Sequence, residues 1–180
     1  MPLRAAKGTF FVHKRISVIV YLYIMKNLQF TIKINTAINK VFDLMLGISN
    51  KSTYEQWTAL FNPTSTYEGN WTKGSKMLFV GIDEHGEKAG MVSEIIDNRL
   101  NQFISIRHFG LVKESIEITE GPDVEKWANS FENYTFEERD GVTTVTVYLD
   151  ISEDFSDYMN EIYPKALIKL KEICEEEPLK

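Results

Sequence analysis

The chain has 180 residues, which is long enough to bury one hydrophobic core and too short for several domains of ordinary size. Its formal net charge is −6. Positions 1–25 hold four basic residues and no acidic one, so the remainder carries 16 basic and 26 acidic residues. An acidic body excludes a nucleic-acid-binding surface of the usual basic kind, and we expect no nucleic-acid partner.

The N-terminal segment differs from the rest of the chain. Its apolar run from Ile16 to Met25 is too short for a transmembrane helix, which needs about 20 apolar residues. No small-residue cleavage motif follows the run, as it would in a secretory signal. We therefore expect residues 1–25 to be an extension outside the fold, residues 26–177 to form one domain, and no membrane span. A membrane or export signal and an integral part of the fold are the two alternatives.

The cysteine and histidine content limits the chemistry. Cys174 is the only cysteine, so no intramolecular disulfide can form, which favours a cytoplasmic location. The sequence has no glycine-rich nucleotide motif, no HExxH and no cysteine pair for zinc. Of the three histidines, His13 lies in the extension and His85 in a predicted turn. We expect no metal site, no cofactor and no conventional nucleophilic triad.

The domain begins with a strand and two short helices. Residues 28–34, LQFTIKI, alternate between apolar and polar side chains and predict a strand. Apolar residues then recur at helical spacing, at Ile38, Val41, Phe42 and Met45. We predict a helix here with Thr36 as its cap and Gly47 at its end, and a second short helix that begins with a capping box at Ser52.

Six strands and one long helix complete the predicted order. Strands with tight turns extend from residue 64 to 151, with a hairpin at Asp140-Gly141 and a longer loop around residues 120–122. A helix is predicted over about 153–175, with Pro164 kinking or briefly breaking it. Its apolar stripe consists of Phe155, Met159, Ile162, Ala166, Leu170 and Ile173.

These elements predict an α+β domain in which a curved antiparallel sheet of seven strands wraps around the long C-terminal helix. The sheet has one apolar face and the helix one apolar stripe, so each buries against the other. The space between them is either filled by side chains or left as a pocket.

Several sequence blocks accompany this order of elements. They are Trp57 with Phe61, SIRHFG at 105–110, KWANSFENYTF at 126–136 and YPKALIKLKEI at 163–173. Together they resemble the helix-grip fold of the START-related SRPBCC superfamily. Within it they resemble the bacterial branch named after the co-chaperone that activates the heat-shock-protein-90 ATPase. The resemblance implies a START-like domain with a hydrophobic internal cavity, and it implies no catalytic residue set.

His108 stands in a strand on the same face as Ile104 and Ile106, and we expect it to point inward while Arg107 points outward. It is a hydrogen-bonded core histidine, a polar anchor in the cavity, or a general base. Glu132 and Tyr134 share a face of the penultimate strand. A buried Glu132 needs a partner, which His108 or Arg107 could supply, or else it is a solvent-exposed member of a cross-strand ion pair.

Aromatic and methionine side chains are candidates for the cavity wall, although plain core positions are the alternative. With the polar candidates, the expected ligand-binding set is His108, Glu132, Tyr134, Trp57, Phe61, Phe79, Met91, Trp127, Met159 and Tyr163.

The leading hypothesis is non-covalent binding of a small hydrophobic ligand between sheet and C-terminal helix. The first alternative is a protein-interaction module whose partner is a chaperone or another protein. The second is a cyclase- or hydrolase-like enzyme that uses His108 and Glu132 as acid and base.

Overall fold

The computed structural model describes residues 25–125 and 128–176. The elements are β1 (Met25–Ile34), α1 (Ile38–Leu46), α2 (Lys51–Thr58), β2 (Thr66–Gly69), β3 (Lys76–Ile82), β4 (Lys88–Arg99), β5 (Phe103–Lys113), β6 (Ile116–Ile118), α3 (Pro122–Glu125), β7 (Ser130–Arg139), β8 (Val142–Ser152) and α4 (Glu153–Glu175). The predicted extension, apart from Met25 in β1, lies outside the described residues, so the domain bounds stay a prediction. None of the helices in the described ranges is long and apolar enough to cross a membrane.

The predicted α+β helix-grip architecture is confirmed. One curved antiparallel sheet has the strand order β1-β8-β7-β5-β4-β3-β2, and α4 lies against its packed face. The alternation predicted for β1 is also confirmed, since Leu28, Phe30 and Ile32 are half-buried and Ile34 is fully buried, while the residues between them are exposed. The alternating pattern of the sequence thus selects the face that receives the helix.

Within the described residues the sheet has eight strands, one more than the sequence predicted. The additional strand, β6, has three residues and pairs with the end of β5. The two strands are joined by Glu114 and Ser115, both with positive φ (52° and 65°), as a tight two-residue hairpin requires. Neither residue is the glycine or asparagine that usually indicates such a turn, so the pattern gave no signal. The predicted loop around residues 120–122 is also wrong in part, because the short helix α3 begins at Pro122.

The hairpin at Asp140-Gly141 is confirmed. Both residues have positive φ, 54° and 77°, and they join β7 to β8 with Arg139 opposite Val142. This geometry is that of the two-residue turn whose twist matches the flanking strands. The turn therefore sets the β7–β8 register, and with it the face on which the side chains of β7 lie.

The two predicted helix caps are wrong, although both helices and the end of α1 at Gly47 are confirmed. The Thr36 hydroxyl donates to the carbonyl oxygen of Cys174 instead of capping α1, and so it ties the helix start to the end of α4. In α2 the cap is Asn50, whose side chain accepts from the Ser52 amide at 3.1 Å. An asparagine satisfies a free amide there in the same way as the predicted serine would.

The long helix has the predicted length and is continuous through Pro164. Its C-terminal half is fully buried at Ala166, Leu167 and Leu170. Its N-terminal half is not, and Phe155, predicted as part of the apolar stripe, is 57% exposed. The stripe therefore packs tightly only where the helix lies over β1 and α1, and it diverges from the core toward its start.

The burial of α4 generates a stability prediction. Replacing Leu170 by Ala should lower the free energy of unfolding by about 2–5 kcal/mol, because the side chain is fully buried and leaves a cavity. Replacing Ile168, which is 54% exposed on the same helix, by Ala should lower the free energy of unfolding by less than about 0.5 kcal/mol. Urea denaturation of the two variants measures both values. Equal losses would mean that the helix is docked on a different face.

Candidate functional site

A cavity of about 500 Å³ lies between α2, the first half of α4 and the packed face of the sheet. The volume falls within the roughly 300–1,000 Å³ of ordinary small-molecule pockets. Nine of the ten candidate residues line it: Trp57, Phe61, Phe79, Met91, His108, Glu132, Tyr134, Met159 and Tyr163. The tenth, Trp127, lies outside the described residues. The structure thus brings together every described candidate, and it places Phe155 at the rim.

Strand register explains why His108 and Glu132 meet. In the β5–β7 pair, His108 is opposite Ser130 and Ile106 is opposite Glu132. His108 and Glu132 are therefore diagonal neighbours on the same face, which is a separation that long side chains can span. His108 Nε2 lies 3.5 Å from Glu132 Oε2, and both side chains are largely buried, with 4% and 14% of their surface exposed.

The other ring nitrogen of His108 is held by Ser93. Ser93 is directly opposite His108 on β4, and its Oγ lies 2.8 Å from Nδ1. A carboxylate offers no proton, so the ring nitrogen that faces Glu132 must carry one to be attracted to it. In the neutral ring, Nδ1 is then the acceptor and the Ser93 hydroxyl the donor. This arrangement fixes both the tautomer and the orientation of the ring.

Two tyrosine hydroxyls complete the environment of Glu132. Tyr163 reaches from α4 and donates to Glu132 Oε1, and Tyr134, on the same face of β7, also helps to stabilise the charged carboxylate. The Tyr163 ring is fixed on both sides, because it stacks on Phe30 at 4.8 Å between centroids and meets Phe61 edge-on at 5.1 Å. The predicted partner Arg107 faces the other side of the sheet and pairs with Glu94 at 2.5 Å.

These contacts decide which groups are charged. Burial raises the pKa of the Glu132 carboxyl, but the hydrogen bond and charge of His108 and the hydroxyls of Tyr163 and Tyr134 outweigh it, so the pKa lies below its ordinary value. Burial, with the negative charge of Glu132, raises the pKa of Tyr134 and Tyr163 well above the ordinary value. At neutral pH the cluster thus consists of a carboxylate and protonated hydroxyl donors.

Tyr54 in the cavity wall and Ser93, which holds His108, were not predicted as site residues. Tyr54 lies one helical turn before Trp57 on α2, and this spacing could have indicated it. Ser93 gave no such signal. The β4–β5 register shifts by one residue between Val92 and Ser93, and only this shift places Ser93 opposite His108. In the described ranges, no group of three or more histidine, cysteine, aspartate or glutamate side chains is placed to hold a metal ion.

The fold is shared with several solved structures. The Aha1 dimer from Colwellia psychrerythraea matches with a TM-score of 0.60 and 17% identity over 83% of this chain and 96% of that one. The Mll3558 protein from Rhizobium loti matches with a TM-score of 0.61 and 12% identity, over 84% of this chain and 99% of that one. Protein Ms6760 from Mycobacterium smegmatis matches with a TM-score of 0.59 and 16% identity, over 85% of this chain and 93% of that one.

The predicted resemblance is confirmed at the level of the fold. No protein-family model matches the chain, and no curated protein matches it either. The TM-scores of 0.59 to 0.61 show that these proteins share the helix-grip architecture, and at identities of 12% to 17% they carry no information on what this chain binds.

The carboxylate cluster generates a prediction on pH. Because the pKa of Glu132 is lowered on folding, its ionised form stabilises the protein above the ordinary glutamate pKa of about 4.3, and this contribution is lost as the pH falls through the lower value in the folded state. We expect E132Q to be less stable than the native protein at neutral pH. The difference should shrink as the pH falls below about 4.3, the ordinary pKa of a glutamate. Urea denaturation across the range measures it.

The matched control is E137Q, since Glu137 lies on the same strand and is exposed. Its stability difference from the native protein should stay close to zero at each pH. A loss in E132Q that is unchanged at the lowest pH would show that the acceptor oxygen replaced by the amide NH2 group matters and the charge does not.

Proposed function

We propose that this protein binds a small, largely apolar ligand in the cavity between α4 and the sheet. The observation that supports it is the cavity itself, whose wall is built from aromatic and methionine side chains with one polar cluster. Pockets that hold small molecules combine apolar walls with a few placed polar groups in this way. Each Å² of apolar ligand surface removed from water contributes roughly 25 cal/mol before the costs of association.

The polar cluster is suited to orienting the ligand. His108, Tyr134 and Tyr163 hold Glu132 in one position, and each is itself fixed by packing or by a further hydrogen bond. Such preorganised groups lose little conformational entropy when a ligand arrives. The ligand is expected to place its polar end against this cluster and its apolar body against Phe61, Phe79 and Met91.

The contacts of the cluster favour binding over acid–base catalysis. A general base usually stands within about 2.6–3.2 Å of the proton it transfers. Here both ring nitrogens of His108 face protein groups, Glu132 at 3.5 Å and Ser93 at 2.8 Å. For His108 to act as the base, a substrate would have to displace one of these two partners, whereas ligand binding uses the cluster as it stands.

The interaction-module hypothesis predicts a filled interior and an exposed docking patch. The cavity of about 500 Å³ supports the ligand hypothesis instead. The likeness to the Aha1 dimer keeps a protein partner, such as a second copy or a chaperone, as the alternative outcome.

Two measurements test the proposal. Native mass spectrometry of the full chain, purified gently, should show a retained mass that is lost on denaturation. N-phenyl-1-naphthylamine, a neutral apolar dye, should bind saturably with one site and a blue-shifted emission. A bare mass together with an absence of dye binding would refute ligand binding and favour the interaction module.

The cavity also predicts the effect of a blocking side chain. Met91 lines it, so M91W should fill part of the volume with an indole ring and weaken dye binding by roughly tenfold or more. The control is I82W, which adds the same ring at a 45% exposed position that does not line the cavity. Its dye affinity should equal that of the native protein. Equal affinities in all three proteins would place the dye elsewhere.

A further inference from the structure

Resting on the proposed function, we infer that the cavity selects an apolar ligand that ends in a hydrogen-bond donor, an ammonium group above all, and rejects ligands that end in a carboxylate or phosphate. The observations that carry this inference are the signs of the charges in the wall, the unused acceptor capacity of Glu132 and the aromatic rings around it. Each of the three points to the same ligand chemistry.

The charged groups of the wall are acidic. Among the described residues that line the cavity, Glu132 and Asp150 are carboxylates, and none is lysine or arginine. His108 is the one other group there that can carry a positive charge, and it already faces Glu132. An anionic ligand would therefore be desolvated beside like charges with no cation free to pair with it, which is costly in a buried site.

The strongest side-chain donors of the wall already have acceptors within the protein. The hydroxyl of Tyr163 donates to Glu132. The side-chain amide of Asn62 donates to the Ile82 carbonyl at 2.9 Å. A ligand carboxylate, which can only accept, would have to break these bonds or rely on the neutral serine hydroxyls of the wall, which are weaker partners than a cation.

Glu132, in contrast, has acceptor capacity left. A carboxylate offers about four lone-pair sites. The Tyr163 hydroxyl occupies one, and His108 and Tyr134 draw on at most two others. Glu132 lines the cavity, and 14% of its side-chain surface is exposed. A ligand donor that enters the cavity can therefore occupy the fourth site without displacing a protein group.

The aromatic rings of the wall also favour a positively charged ligand. Among the described residues, seven of them line the cavity: Tyr54, Trp57, Phe61, Phe79, Tyr134, Phe155 and Tyr163. The face of an aromatic ring attracts a cation within about 6 Å, and the attraction is larger when the cation is desolvated. An ammonium group therefore gains from the wall as well as from Glu132, whereas a carboxylate gains from neither.

The test uses four probes that share one apolar body. They are naphthalene, 2-naphthol, 2-(aminomethyl)naphthalene, which is an ammonium ion at pH 7, and 2-naphthoate. Isothermal titration calorimetry with the full chain at pH 7 should give the tightest binding for the ammonium probe, with 2-naphthol next. We expect the ammonium probe to bind at least about tenfold more tightly than 2-naphthoate, because a hydrogen bond to a charged group contributes a factor of this order.

The variants assign this preference to one carboxylate. E132Q keeps the shape of the side chain and removes its charge, so the ammonium-to-carboxylate ratio should fall toward one. E137Q, which changes an exposed glutamate of the same strand, should keep the native ratio. A ratio that survives in E132Q would overturn the role given to Glu132.

The native ranking decides the inference even if E132Q does not fold. If 2-naphthoate binds as tightly as the ammonium probe, the inference is overturned while the proposed ligand site stands. If none of the four probes binds, naphthalene and 2-naphthol included, the proposed function fails and the inference fails with it.

Discussion

The buried carboxylate of Glu132 is the group around which this structure is organised. A charge placed inside an apolar space is costly unless hydrogen-bond donors surround it. Here the donors come from three elements: His108 from β5, Tyr134 from β7 and Tyr163 from α4. Meeting that requirement ties the helix to the sheet across the cavity, so the orientation of α4 and the chemistry of the site are determined together.

The sheet supplies the positions that make the cluster possible. His108 has Ser93 directly opposite on one side and Glu132 diagonally placed on the other. A register shift of one residue in either strand pair would turn these side chains to the outer face. The register of β7 is fixed in turn by the hairpin at Asp140-Gly141, far from the site. A turn with no contact to the cavity therefore helps to determine which side chains line it.

The sequence was a good guide where a side-chain pattern has a fixed period. Alternation predicted the faces of β1 and the inward position of His108, and the spacing of apolar residues predicted the length of α4. It was a poor guide where the outcome depends on irregular backbone. The tight turn at Glu114-Ser115 lacks the residues that usually indicate one. The pairing of Ser93 with His108 depends on a bulge that sequence alone does not reveal.

The caps show a different limit. Several residues near a helix start can satisfy the same free amide, so the sequence indicates that a cap exists more reliably than it indicates which residue supplies it. Asn50 and Ser52 are two residues apart, and Asn50 is the cap because its backbone is extended while the helix has already begun before Ser52. The same holds for the cavity wall, where the chemical type of the residues was predictable and their contacts were not.

The two halves of α4 differ in what they pack against. From Ala166 onward the helix is buried against β1 and α1, and it contributes to the core. Before Tyr163 it borders the cavity, with Met159 in the wall and Phe155 at the rim. Pro164 lies between the halves, where it removes the hydrogen bond to the carbonyl of residue 160, an exposed position at which water can replace it. Because the firmly packed half holds the helix in place, the other half can surround an open volume without loss of the fold, and this division is what permits a small domain to keep a cavity inside.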